Sequence, residues 1–410
     1  MGALWHPFSN MSAVEKNGEF TLTRGQGVYV YDADDNRYLD ATAGLWYANV
    51  GHGRVELAEI AAKQMAKLAS YNTFGDYSNE PAIALAEKLA GIAPTAGSKV
   101  FFTSGGSDSV DTAAKLARRY WVEMGQPSRT FVIGRQKAYH GMHFAGTALA
   151  GIPTNREGYG ELVPDTATVA WDSADDLRAT IDRLGADRVA AFYCEPVIGA
   201  GGVFPPPEGY LADVRKACTE NDVLFVADEV VTGFGRIGGS WFASTRFGLE
   251  PDMVTTAKGL TSGYLPMGAV LVAPKVAEPF FKPDGDVWWR HGYTYSGHAA
   301  AAAVALGNLA IIEREGLLDE AARLEATLAT ALSPLADHDR VEQVRCGTGA
   351  LAAVQMREPS EAAQLAVTLR SHGVATRAVG VGGIQVSPPL IMTDDQVGDL
   401  ASAIATALDA

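Results

Sequence analysis

Cysteine is scarce: Cys194, Cys218 and Cys346 are the only three in 410 residues. They are widely spaced, odd in number and form no C-x-x-C, so neither a disulfide framework nor a cysteine-based zinc site is indicated. Basic residues are also in short supply, 33 Lys and Arg against 48 Asp and Glu, a net charge of −15. That sign argues against a phosphate backbone or an anionic membrane as partner. Long apolar runs are missing, and no stretch approaches the roughly 20 residues of a membrane-spanning helix. The opening "MGALWHPFSN" has no basic segment followed by an apolar run, and His6 stands where a myristoylation signal requires Ser or Thr. The expectation is a soluble, cytoplasmic protein with no nucleic-acid and no membrane partner.

What is present is an ordinary globular composition in a chain long enough for two or three domains. From about residue 99, short β-rich runs alternate with helical patterns. The β-runs read "KVFFTS", "TFVIG", "VAAFYCEP", "VLFVADEVV", "DMVTTAK" and "MGAVLVAP". In "DSVDTAAKLARRYWVEMG", Val110, Ala113, Ala114, Ala117, Tyr120, Trp121 and Met124 keep the i, i+3, i+4 rhythm of an amphipathic helix. Leu211, Val214 and Cys218 do so in the next helical tract. Continuous apolar strands between helices predict an α/β fold, a large mixed or mostly parallel sheet covered on both faces. After about residue 300 come an alanine-rich helical tract with its own breaks, the short strands "ALAAVQM" and "IQVSPPL", and a last helix opening with a Thr393–Gln396 capping box. We expect a large domain over residues 50–300 and a smaller α+β domain from residues 1–49 with 301–410.

Polar residues recur where the β-runs end, which in open α/β sheets is where ligands bind. Lys258 ends "DMVTTAK", where a lysine can also simply run its stem along the core and keep its ammonium in water. The run Ser104-Gly105-Gly106-Ser107 joins a strand to a helix, as a phosphate cradle does, and as a glycine-rich turn with a Ser or Asp cap does too. Asp228 ends a strongly apolar strand, which suits a metal site, a ribose contact or a salt bridge; Glu195 ends another and could cap a neighbouring loop. Together they match the needs of pyridoxal phosphate. That cofactor requires a lysine for its aldehyde, a carboxylate beside its pyridine nitrogen and an anchor for its phosphate. Tyr139 and Val230 are candidates for the two ring faces.

The segments "GLWYANVGHGR", "VFFTSGGSDSVDTAAKLARRY", "AYHG", "EPVIGAGG", "ADEVVTGFGR", "DMVTTAKGL" and "GYTYSGH" occur in an order and spacing that resemble the class III aminotransferases, pyridoxal phosphate enzymes of fold type I. The likeness covers nearly the whole chain. It implies that Lys258 is the Schiff-base lysine and proton shuttle and Asp228 the pyridinium partner. It further implies that Gly106 and Ser107 hold the phosphate, Tyr139 and Val230 flank the ring and Glu195 hydrogen-bonds nearby. Thr294 would reach the phosphate of a neighbouring subunit, since the family's active sites lie at a homodimer interface; a tetramer is the alternative. One departure is Ser104-Gly105-Gly106-Ser107-Asp108 where the family often has Asn-Ser-Gly-Ser-Glu. Backbone amides bind phosphate whatever their side chains, so the anchor is expected to survive.

By the same likeness, Trp46 and Tyr47 fall where the amine:pyruvate branch lines its substrate pocket, with Phe8 at the border. Arg377 resembles that branch's mobile arginine, whose planar fork matches a keto-acid carboxylate; the plain alternative is a solvated surface arginine. The implied reaction takes an amino group from an amine or omega-amino compound to a keto acid, pyruvate favoured, in two half-reactions. A 2-oxoglutarate-dependent enzyme, an aminomutase of the glutamate-1-semialdehyde type and a cofactor-free binding protein of the same fold are the alternatives.

"GFGRIG" at 233–238 fits G-x-G-x-x-G, but that fingerprint needs a helix opening at the glycines. The sequence that follows has little helical periodicity, so dinucleotide binding is not expected. His140, His143, His291 and His298 come from separate segments without a short ligand spacing. They are read as hydrogen-bonding residues, and no metal is expected.

Overall fold

The computed structural model describes residues 2–410. Three strands, β1 (Leu22–Gln26), β2 (Tyr29–Asp32) and β3 (Arg37–Asp40), form an antiparallel meander near the N-terminus. The central sheet follows: β4 (Lys99–Thr103), β5 (Phe131–Arg135), β6 (Thr166–Val169), β7 (Val189–Cys194), β8 (Leu224–Asp228), β9 (Met253–Thr256) and β10 (Gly268–Val272). Their spatial order is β4-β10-β9-β8-β7-β5-β6. All pairings from β9 to β6 are parallel, and β10 runs against both of its neighbours. The sheet is therefore mostly parallel with one reversed strand, the mixed α/β architecture expected from the alternating runs. Strands β7, β8 and β9 are buried along their whole length, because helices cover both faces.

The helix Gly106–Glu123 packs on β9 and β10 and buries Val110, Ala113, Ala117 and Trp121. The alanine-rich tract is two helices, Ala299–Arg314 and Leu317–Leu332, broken at Gly316 in a left-handed conformation. The first of these lies against helices Val55–Leu68 and Glu80–Ile92 and is buried nearly all round, as its lack of a polar face requires.

A third sheet is fully antiparallel, in the order β11 (Val341–Arg345), β12 (Ala352–Met356), β15 (Gly383–Val386), β14 (Ala378–Val379). The two-residue β13 (Val374–Ala375) pairs in parallel with β3, so the C-terminal segment completes the N-terminal sheet. The closing helix Asp394–Asp409 has the expected capping box: Gln396 N donates to Thr393 Oγ1 at 3.3 Å, and Thr393 N to Gln396 Oε1 at 3.0 Å. It buries Val397, Leu400, Ala401, Ile404 and Leu408. Among the described residues, no helix is long and apolar enough to cross a membrane.

Candidate active site

Because β4, β5, β7, β8 and β9 point the same way, their carboxyl ends meet along one edge of the central sheet. Asp228 ends β8, and Ser104, Tyr139, Glu195 and Lys258 lie just beyond the ends of their strands, as strand-end polar residues of an open α/β sheet should. One cavity brings together Gly106, Ser107, Tyr139, Glu195, Asp228 and Lys258, with Val230 on its wall.

Asp228 is 4% exposed, and both oxygens of its carboxylate are held by hydrogen bonds. Oδ2 accepts from His140 Nδ1 at 2.7 Å, while Oδ1 accepts from Thr255 Oγ1 and from the Val230 amide, each at 3.1 Å. The partner that a buried strand-end carboxylate demands is thus supplied by a buried imidazole. Glu195 accepts backbone amides from Tyr139 and Gly199, each at 3.0 Å, and ties the Tyr139 loop to the end of β7. Burial pushes the Glu195 carboxyl above its ordinary range, partly offset by His140.

The helix Gly106–Glu123 opens onto this cavity with its free amides. A Cβ at Gly106 would sit 2.8 Å from Val230 Cγ1, so a larger residue there would drive Val230 inward. Ser107 Oγ accepts from the Met142 amide at 3.2 Å. Asp108, the departure from the family pattern, accepts from the Ser104 amide at 3.0 Å and from His143 Nε2 at 2.7 Å, so it holds the loop ahead of the helix.

Lys258 is half-buried and adopts φ +43°, a left-handed conformation that a non-glycine residue keeps only when its surroundings impose it. They do so here through Asn308, a fully buried residue of Ala299–Arg314, whose Nδ2 donates to the carbonyls of Gly259 at 2.8 Å and Leu260 at 3.0 Å. Gly259 has no room for a side chain, since a Cβ would meet Asn49 Nδ2 at 2.6 Å. Burial pushes the Lys258 ammonium down to about 8, against the opposing attraction of Asp228 and Glu195.

A second cavity, about 300 Å³, shares Lys258 and Tyr139 with the first. Its wall includes Phe8, Leu45, Trp46, Ala200 and Arg377. Phe8 meets Tyr139 edge-on with ring centroids 6.4 Å apart. Phe8 and Trp46 share the left-handed backbone of Lys258, at φ +52° and +69°. Arg377 is exposed into this space, and among the described residues no carboxylate pairs with it; desolvation by the surrounding protein pushes its guanidinium below its ordinary value.

Tyr47 is not part of this wall. Its ring packs where side chains at Gly44 and Gly263 would stand, and Leu45 faces the cavity beside Trp46 instead. The cause is a kink: Gly44 and Leu45 leave helical geometry inside Ala43–Trp46, so neighbouring side chains do not follow a regular helical or strand spacing. Thr294 is exposed and outside both cavities. The residues that sequence reasoning missed are His140, as partner of Asp228, and Leu45. The signal for His140 was its place beside Tyr139 in "AYHG"; its partner Asp228 lies 88 residues further along the chain.

The glycines of "GFGRIG" form consecutive turns, and the next helix is the four-residue Ala243–Arg246, so no helix opens there. His143 pairs with Asp108, His291 lies 2.8 Å from Thr112 Oγ1, and His298 caps Ala299–Arg314 by accepting the Ala301 amide. No cluster of three metal-ligating side chains occurs among the described residues.

The family model for aminotransferase class-III matches residues 11–408. A putrescine–pyruvate aminotransferase of Pseudomonas aeruginosa is 39% identical, the match covering 98% of this chain and 93% of that one. A transaminase from the marine bacterium Virgibacillus superposes with a TM-score of 0.95 at 39% identity, covering 99% of this chain and 96% of that one. An omega transaminase of Pseudomonas jessenii, in complex with PMP, superposes with a TM-score of 0.93 at 34% identity, covering 99% and 96%. Pyridoxal phosphate is the cofactor of this family, and the first cavity fits it: an amine, a held carboxylate and a helix N-terminus converge where Gly106 leaves room. An α/β fold with those groups at one sheet edge, matched over nearly its full length, makes the chain a member of the class III aminotransferases, pyridoxal phosphate enzymes of fold type I that move an amino group from an amine to a keto acid.

Proposed function

We propose that this enzyme takes the amino group of an apolar amine or omega-amino compound and delivers it to pyruvate, with Lys258 as both cofactor attachment point and proton carrier. The observation that supports this most directly is the position of Lys258 on the walls of both cavities, the polar one and the aromatic one. When bound, pyridoxal phosphate supplies an aldehyde that receives the amino group and a ring that spreads negative charge from the adjacent carbon. Lys258, once displaced, is an amine of depressed pKa held at that junction, able to take a proton from substrate and return it. Asp228, held by His140, offers fixed negative charge to the ring nitrogen; Gly106 and Ser107 anchor the phosphate; Tyr139 and Val230 border the ring; Glu195 holds the Tyr139 loop.

Arg377 receives the keto-acid carboxylate, and Phe8, Leu45 and Trp46 form the apolar part of the substrate cavity, while Tyr47 packs against Gly44 and Gly263. No Asp or Glu lines that cavity among the described residues, which favours an apolar amine over a diamine carrying a second ammonium.

We assign residues 50–300 to the large domain and 1–49 with 301–410 to the small one; the β3–β13 pairing supports the grouping. We assign a homodimer with Thr294 reaching the partner's cofactor phosphate, supported by the exposed Phe74, Trp288 and Tyr295 near it. Three free cysteines support a cytoplasmic location.

The test is a spectral titration of the cofactor-loaded enzyme. An apolar amine should bleach the aldehyde chromophore, and pyruvate should restore it. Restoration by 2-oxoglutarate and not by pyruvate would overturn the acceptor assignment.

A further inference from the structure

Arg377 has one hydrogen-bond partner among the described residues: its Nε donates to Gln385 Oε1 at 2.7 Å. Gln385 is 0% exposed, an expensive place for a primary amide unless its polar atoms are satisfied. They are. Its Nε2 donates to Ser387 Oγ at 2.7 Å, and that hydroxyl donates on to the Thr42 carbonyl at 3.4 Å. The backbone is held as firmly: Gln385 N donates to Arg377 O at 3.0 Å, and Gln385 O accepts from Thr376 Oγ1 at 2.7 Å. Ser387 N donates to Ala41 O at 2.7 Å, joining this strand to the loop that carries Leu45 and Trp46.

The network also fixes which way the amide faces. Its NH2 group is taken by Ser387 Oγ, so its oxygen must face Arg377; turning it over would set two donors against each other. With Nε occupied, the two terminal nitrogens of Arg377 remain free, and they form the edge of the guanidinium that grips a carboxylate with two parallel hydrogen bonds.

We infer that Gln385 is a positioning residue that holds Arg377 in its carboxylate-receiving orientation and so sets the balance between keto acid and apolar amine in the shared cavity. The inference rests on the proposed role of Arg377 as the acceptor site. An apolar group that displaces the guanidinium breaks the Nε bond and leaves a buried carbonyl oxygen without its donor. Gln385 therefore favours the keto-acid half-reaction and works against the amine half-reaction. It touches neither substrate.

The test uses the full-length, cofactor-loaded enzyme and follows the chromophore in each half-reaction separately, with pyruvate and with 1-phenylethylamine as probes. Gln385→Met removes the acceptor at nearly the same volume. It should raise the half-saturating pyruvate concentration about tenfold, the worth of one hydrogen bond to a charged group, and should lower that of the amine, which no longer has an Nε bond to break. Gln385→Glu keeps an acceptor for Nε but pairs the charge, so it should weaken both pyruvate and amine binding; unchanged amine binding in this variant overturns the inference, and it decides the matter if the Met variant fails to load cofactor. Equal losses in both half-reactions of Gln385→Met, or none, overturn it as well. Arg377→Ala separates the two levels. Selective loss of pyruvate there without selective loss in Gln385→Met sinks the positioning role alone. Equal loss of both substrates in Arg377→Ala sinks the acceptor-site reading and this inference with it.

Discussion

His140 Nδ1 lies 2.7 Å from Asp228 Oδ2, and both side chains are buried, the imidazole 1% and the carboxylate 4% exposed. The pair joins the loop after β5 to the end of β8 and leaves the carboxylate no freedom to turn. A carboxylate that must hold charge against a cofactor ring nitrogen needs that constraint, because a mobile or protonated acid would not stabilise the ring cation.

Removing either member should therefore be felt in chemistry more than in folding. Asp228→Asn should lower the rate of the amine half-reaction on the order of a hundredfold. His140→Ala should lower it on the order of tenfold, because the charge stays but its orientation loosens. Stopped-flow absorbance with a single amine checks both, and a larger loss in the His140 variant would reverse the assigned hierarchy.

Lys258 should set the pH dependence of cofactor loading. Only the unprotonated amine attacks an aldehyde. Burial moves the ammonium down to about 8, so the reactive fraction should rise about tenfold per pH unit below 8 and level off above it. The sign follows from the cause: desolvation penalises the charged form, so the neutral amine appears at lower pH than in an exposed lysine. The rate of pyridoxal phosphate uptake by stripped protein measures this. A rate still climbing beyond pH 9.5 would refute the depressed pKa. Lys258→Ala should abolish turnover, and borohydride reduction followed by peptide mass analysis should find the label on residue 258 alone.

Gly106→Ala should weaken cofactor binding about tenfold, because the added methyl stands 2.8 Å from Val230 Cγ1 and overpacking pushes that side chain into the ring space. Val230→Ala in the same chain should recover most of the loss. The coupling is read from dissociation constants of the two single variants and the double variant. Additive losses would mean that the two residues do not share the space.

Asn308→Leu should destabilise the protein by about 2 kcal/mol, since it leaves the Gly259 and Leu260 carbonyls buried without a donor. It should also free Lys258 from its left-handed conformation and slow cofactor loading. Thermal unfolding of the stripped protein measures the first effect and uptake kinetics the second. Unchanged loading would show that the strained backbone at Lys258 is held by other contacts.

The residues at the strand ends were legible in the sequence. An apolar β-run that stops at Asp228, Glu195 or Lys258 announces a polar group at a sheet edge, and "SGGSDS" announces a helix start. The helices at Gly106–Glu123, Tyr210–Glu220 and Asp394–Asp409 were legible for the same reason, because periodicity and caps are local properties of the chain. The N-terminal meander and its pairing with β13 were not read, since nothing local in "VATRAV" names a partner more than 300 residues earlier.

Sequence by itself determined which chemical groups this protein owns and that a parallel sheet would bring them to one edge, because strand, helix and cap signals act over a few residues. Tertiary structure alone decided which groups hold which: His140 on Asp228, Asn308 behind Lys258, Gln385 on Arg377, and Leu45 in the cavity while Tyr47 packs against Gly44 and Gly263. Those choices rest on buried hydrogen bonds and close packing between distant segments. Their energies depend on burial and geometry that exist only once the chain has closed around them.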